Sequence, residues 1–325
     1  MIRLAVLAFA LVLAAPATRG ELPHAADRLR LGTWNLDWMM TPETFDALAT
    51  RCLGKDQRAG GDDRSIPCDR VPKGRWSAKD LARLRDFARE AELDVIALQE
   101  TDGREVAKRI FPQYVFCFTS RHNVQNVGFA VRRGIPHRCD RDYRPLGLDD
   151  YVRRGADLTL YPGTNRAIRL LAVHLKSACN GDPLNEPRVA CWKLQQLVPI
   201  LVDWIDRRAR ADNAFAVIGD FNRRFDLERE SARDAQGRTV AVWPEINDGD
   251  PPGAALVNPG VEHGAVGCGN GYGPRQPIDY FVLGRKLSRA LVAGSYKVWD
   301  YPRDQRWPDH CLLTIEVEPE RLDDL

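Results

Sequence analysis

The chain has 325 residues, 44% of them apolar, and a formal net charge of +2 at neutral pH. The apolar share supports a substantial core in one large domain or two. The near-neutral balance excludes a strongly basic coat for non-specific nucleic-acid binding, while leaving room for a local basic groove.

At the N-terminus, Met1-Ile2-Arg3 leads into an apolar run from Leu4 to Ala15 and then Ala15-Pro16-Ala17. A positive start, a short apolar stretch and a small-residue cleavage site make a secretory signal peptide, and the stretch is too short for a comfortable membrane span. Cleavage is expected after Ala17. Residues 18–325 then form a single domain, secreted or periplasmic, with no stable membrane span and read as a monomer. Eight cysteines follow the cleavage site, and an even number in an exported chain points to disulfides. Sequence proximity favours Cys52–Cys68 and Cys179–Cys191, each closing a polar loop. Cys117–Cys139 would join two neighbouring strands, leaving Cys268–Cys311 as the last pair. No C-x-x-C or Cys/His cluster has zinc-site spacing.

Leu29 to Leu36 alternates and predicts a strand, with Asn35 near its end. The polar stretch from Met39 to Trp76 predicts a long loop, which the first cysteine pair would staple. Ser77 caps a predicted helix in which Leu81, Leu84, Phe87, Ala88 and Ala91 recur at helical spacing. Asp94 to Gln99 reads as an apolar strand that presents Glu100 at its end. Tyr114 to Phe118 and Val127 to Arg132 read as antiparallel neighbours. Arg153-Arg154 suits a phosphate contact or a solvated loop equally well. Ile168 to Leu175 is a further strand carrying His174. Leu194, Leu197, Val198, Leu201, Val202 and Ile205 mark an amphipathic helix with a kink expected at Pro199. Ala214 to Gly219 is a short buried strand that delivers Asp220 and Asn222. Alternation puts these two side chains on one side of an extended backbone. Residues 223–275 predict long loops. Asp279 to Val282, Leu291 to Val298 and Cys311 to Val317 close the chain as strands, with Asp309-His310 just before the last. Helices are few for so many strands, which fits sheet-on-sheet packing with helices outside.

The strand ends thus gather Asn35, Glu100, His174, Asp220, Asn222, Asp279, Asp309 and His310. Several carboxylates without clustered cysteines suit a hard cation: magnesium, or manganese or calcium. Two histidines beside them suit general acid and base work near neutral pH. A hard cation with His and Asp partners is the equipment of phosphoester hydrolysis.

Thr33-Trp34-Asn35-Leu36, Ile96-Ala97-Leu98-Gln99-Glu100, Val173-His174-Leu175, Gly219-Asp220-Phe221-Asn222, Ile278-Asp279-Tyr280 and Asp309-His310 resemble the ordered motifs of the endonuclease/exonuclease/phosphatase superfamily. That superfamily includes DNase I, AP endonucleases, neutral sphingomyelinases and inositol-polyphosphate phosphatases. The resemblance covers roughly Leu29 to Val317. It implies an α/β class fold, a four-layer α/β/β/α sandwich of two mixed sheets flanked by helices, with the site at one end of the sheets. It implies that Glu100 binds the metal with Asn35 and Asp309 nearby, and that His310 is a base oriented by Asp279. Asp220 and Asn222 would position water and phosphate. Asn35 and His174 would also contact substrate, His174 at a phosphate oxygen or the leaving group. A histidine on that strand separates DNase I-like enzymes, sphingomyelinases and inositol phosphatases from typical AP endonucleases. Pro308 stands where the family usually has Ser before Asp-His, which removes a hydroxyl and a backbone N–H. The expected activity is a DNase I-like nuclease on nucleic acid. The alternatives are a hydrolase of a phospholipid headgroup or small phosphoester, or a non-catalytic scaffold of the same fold.

Overall fold

The computed structural model describes residues 28–53, 68–120, 124–228, 233–260, 277–302 and 305–323. One six-stranded sheet runs in the order β10-β11-β1-β2-β4-β3 and one five-stranded sheet in the order β5-β6-β7-β8-β9. The strands of the first are β1 (Leu29–Met39), β2 (Val95–Thr101), β3 (Tyr114–Phe118), β4 (Asn126–Arg132), β10 (Lys297–Trp299) and β11 (Leu312–Val317). Those of the second are β5 (His137–Cys139), β6 (Ala156–Leu160), β7 (Ile168–His174), β8 (Ala214–Asp220) and β9 (Asp279–Leu283). Each sheet is antiparallel except for one inner parallel pair, β1 with β2 and β7 with β8.

Period-two alternation builds the layers. Leu29, Leu31, Val95, Ala97 and Phe129 from the first sheet share one buried core with Leu158, Leu170, Ala172, Ala216, Ile218 and Phe281 from the second. Their neighbours face outward. Trp34, Ile96 and Leu98 pack on helices α2 (Ala78–Glu90) and α3 (Arg104–Ile110), while Leu171, Val173, Phe215 and Val217 pack on α4 (Val189–Arg210). The result is the four-layer sandwich, with helices outside both sheets.

The differences from the sequence expectation are local. The stretch from Met39 to Trp76 holds helix α1 (Pro42–Cys52), which Thr41 starts by accepting from the Thr44 N–H with Pro42 at the first helical position. α4 continues through Pro199. Leu291 to Val298 is not one strand; Leu291 makes an isolated bridge to Val317, and Lys297–Trp299 forms β10. The short strands β5 and β6 and the helix α3 lie where no element is expected.

Cys52–Cys68, Cys117–Cys139 and Cys179–Cys191 are bonded. Cys268 lies outside the described residues, and the Cys268–Cys311 pairing with it. Cys117 and Cys139 sit on β3 and β5, edge strands of different sheets, so this bond clasps one sheet to the other. Replacing both with Ser is expected to lower unfolding free energy by about 3 kcal/mol, because a closed loop of moderate length is released in the unfolded chain. A urea midpoint equal to wild type would contradict this.

Candidate active site

Alternation also aims the polar ends of these strands. On β1, Leu29 and Leu31 face the inter-sheet core, and the same face carries Thr33 and Asn35. On β7, β8 and β9 the inward rows end in His174, Asp220 and Asp279. Because β1 and β2 run parallel, as do β7 and β8, and β9 and β11 run against them, all these ends meet at one edge of the sandwich. The site is the polar end of the inter-sheet core.

Glu100 is the exception to alternation. Ile96 and Leu98 face the helices, and a regular β2 would send Glu100 the same way. Its backbone instead adopts φ +52°, where the register of β2 with β4 shifts between Leu98 and Thr101. A left-handed residue in a bulge re-aims its side chain. The Glu100 carboxylate lies 3.6 Å from His174 Nε2 on the opposite sheet and accepts from the Trp38 N–H at 3.2 Å.

Asp220, 1% exposed, is the hub. It accepts from Asn35 Nδ2 at 3.1 Å and from the Asn222 N–H at 2.7 Å, and lies 3.4 Å from His174 Nε2 and 3.9 Å from His310 Nε2. His310 Nδ1 is 2.6 Å from Asp279 Oδ2. The Asp279 bond fixes the ring so that Nε2 turns toward Asp220. The His310 carbonyl is held in turn by the Tyr301 hydroxyl at 2.7 Å. The structure therefore brings all eight expected residues to one end. Asn222 alone is turned differently from the expectation: its φ of +50° sends the side-chain amide to the Leu175 carbonyl at 3.2 Å.

The charges are crowded. Burial, then Asp309 nearby, pushes the Glu100 carboxyl up to about 7 against the opposing pull of His310 and Arg70. Burial and then Asp279 push Asp220 up to about 7 as well. Burial alone would lower the His310 proton affinity; Asp279, Asp220 and Asp309 outweigh it and raise it well above the usual imidazole range.

The donor set fits a hard divalent cation. Glu100 and Asp309 offer carboxylate oxygens, and the elevated proton affinity of Glu100 marks acids short of positive charge. Asn35 Oδ1 accepts from the Asp37 N–H at 3.1 Å and keeps a second lone pair.

Some residues of this region carry no signal in the sequence motifs. Arg153, 4% exposed, donates from Nε to the His174 carbonyl at 3.0 Å and from Nη2 to the Leu175 carbonyl, so it buttresses the end of β7. Arg154 instead pairs with Asp142 and Asp150. Asp37 binds Arg70 and Lys73 from the turn that follows Cys68. In the sequence, the Cys52–Cys68 pairing points only to a stapled loop there.

Gly219 has a steric role. With φ +139°, a Cβ there would sit 2.2 Å from the Val173 carbonyl oxygen. Gly219→Ala is expected to cost about 3 kcal/mol through strain and overpacking, read as a fall in the urea midpoint. An unchanged midpoint would show that β7 and β8 separate easily.

The sequence model of the Endonuclease/Exonuclease/phosphatase family matches residues 32–312. The chain belongs to this family. The family's match spans every motif named above, from the strand of Asn35 to His310. No curated protein sequence matches the chain. The fold is similar to that of truncated Caenorhabditis elegans TDP2, with TM-score 0.54 and 14% identity over 90% of this chain and 98% of that one. An AP endonuclease from Archaeoglobus fulgidus gives TM-score 0.53 and 13% identity over 88% and 98%. The human Nocturnin catalytic domain with bound sulfate anion gives TM-score 0.50 and 13% identity over 89% and 93%. At such identities the likeness is one of fold.

Proposed function

We propose that the protein is an exported, divalent-metal-dependent phosphodiester hydrolase, a DNase I-like nuclease that directs water in line onto phosphorus. The observation that carries this reading is the Asp279–His310 pair, 2.6 Å apart, set against buried Asp220 in a site that also holds Glu100 and Asp309. Glu100, Asp309 and Asn35 would hold Mg2+, with Mn2+ or Ca2+ as substitutes. The bound cation would offset charge growing on the phosphoryl oxygens.

The remaining steps belong to the side chains. Asp220, with its proton affinity at about 7, is matched to accept a proton from water near neutral pH. Asn35 and the Asn222 N–H fix its two oxygens. The sequence expectation made His310 the base; its raised proton affinity suits it better to donate from Nε2 to a phosphate oxygen, while Asp279 holds Nδ1. His174 Nε2, near both Asp220 and Glu100, would donate to a phosphate or leaving oxygen.

Nucleic acid is the favoured substrate over a lipid. Trp299, Tyr301 and Trp307, the nearest candidate for a membrane-docking cluster, pack instead on Phe87 with ring centroids 5.9, 5.3 and 5.1 Å away. The test is hydrolysis of bis(4-nitrophenyl) phosphate beside 4-nitrophenyl phosphate in Mg2+. Diester cleavage abolished by EDTA is expected, and cleavage of the monoester alone would overturn the reading. The base must be unprotonated, so kcat/KM should fall on the acid side of the profile as Asp220 takes up a proton. A flat profile from about pH 5 to 9 would remove Asp220 from that role.

A further inference from the structure

We infer that Arg70, carried on a disulfide-tethered turn, is a positioning residue that sets the ligands of the divalent cation; this rests on the phosphodiesterase reading above. Arg70 acts at the end of β1. Asp37 and Trp38 take φ +47° and +54°, and the register of β1 with β2 slips between Asn35 and Met39. Neither residue is glycine, so this left-handed pair persists only if its surroundings hold it.

What the bulge does is visible in its hydrogen bonds. The Asp37 N–H donates to Asn35 Oδ1 at 3.1 Å, and the Trp38 N–H donates to Glu100 Oε2 at 3.2 Å. The backbone of the bulge thus orients two of the three proposed cation ligands. The third, Asp309, has its Oδ2 3.9 Å from Arg70 Nη1.

Arg70 links these parts. Its Nη1 also bonds the Asp37 carboxylate, and its guanidinium carbon lies 6.0 Å from the centre of the Trp38 ring. Lys73 Nζ adds a second cation 3.0 Å from Asp37 Oδ2. Asp37 is 5% exposed, so its charge depends on these partners. Both cations sit on the turn Cys68–Lys73, which belongs to neither sheet. That turn is fastened by Cys52–Cys68 to the end of α1 and by Arg306 Nη1, which donates to the Lys73 carbonyl at 3.1 Å. The disulfide therefore acts on the site through Arg70, and an oxidising compartment would be a condition of full activity.

Charge and positioning predict opposite signs. Taking a cation away from Glu100 and Asp309 would by electrostatics alone tighten metal binding. Loss of the bulge would loosen it.

The test is Mn2+ binding to the full metal-free chain, followed by electron paramagnetic resonance. Arg70→Ala is expected to weaken Mn2+ binding about tenfold or more. Arg70→Lys should recover most of that, since a single Arg70 nitrogen faces both carboxylates. Cys52→Ser/Cys68→Ser should weaken binding too, and adding Arg70→Ala to it should produce no further loss beyond Arg70→Ala alone. Unchanged or tighter binding in Arg70→Ala, or losses that multiply in the combined variant, would overturn the inference. Should Arg70→Ala not fold, Arg70→Gln carries the same comparison. A wild-type chain that binds no Mn2+ would overturn the phosphodiesterase reading itself, and this inference with it.

Discussion

Asp220→Asn is expected to lower turnover by about 100- to 10,000-fold, the range of a lost general base, while the chain folds and binds metal nearly as before. Shape is preserved, because an amide oxygen can still accept from Asn35 Nδ2 or from the Asn222 N–H, the two donors that hold Asp220 now. What disappears is a group able to take a proton near pH 7. The same substitution should remove the acid limb of the pH profile, and a limb that persists would assign it to another group. KM should change little. A variant with turnover within threefold of wild type would exclude Asp220 as the base.

Glu100→Gln is expected to abolish magnesium-dependent stabilisation and to reduce turnover by about 100-fold or more. In the metal-free protein, Glu100 and Asp220 titrate at about 7, above ordinary values of 4.5 and 3.8. Between about pH 4 and 7 the folded chain therefore binds more protons than the unfolded chain, so its stability falls as pH rises across that window. A cation that needs Glu100 ionised offsets the penalty on that acid. Magnesium at about 100 times its Kd should add about 2.7 kcal/mol at pH 8, and much less at pH 5.5. The metal-free Gln variant, lacking one of the penalised charges, should be more stable than metal-free wild type at pH 8. Denaturant titrations of both proteins with and without magnesium check the sign. Equal stabilisation of the variant would remove Glu100 from the cation site.

The sandwich and its polar end are legible in the sequence because both follow from a period of two. Strands such as Ile168–His174 and Ala214–Asp220 carry apolar rows whose last member is polar, and that member must lie at the rim of the core. Glu100 is legible as a strand-end acid, but its direction is not, since that depends on a bulge and φ +52° that only the pairing with β4 creates. The link from Arg70 to Asp37 spans 33 residues and joins a turn to a strand, so no local pattern announces it. Helix α1 is short and its apolar residues are few, with only Leu48 buried, so it hides within a polar stretch. The pairing of Cys117 with Cys139 is expected as a link between two neighbouring strands, but it joins edge strands of different sheets, a placement that needs the strand order.

Metal-dependent cleavage of nucleic acid at this site is tested most directly by degradation of plasmid DNA and RNA by the purified protein in magnesium. EDTA and Glu100→Ala run alongside as controls. Nicking that EDTA stops and that Glu100→Ala lacks is expected. Intact plasmid and RNA from a wild-type protein with magnesium bound would contradict it, and would move the substrate to lipid headgroups or small phosphoesters.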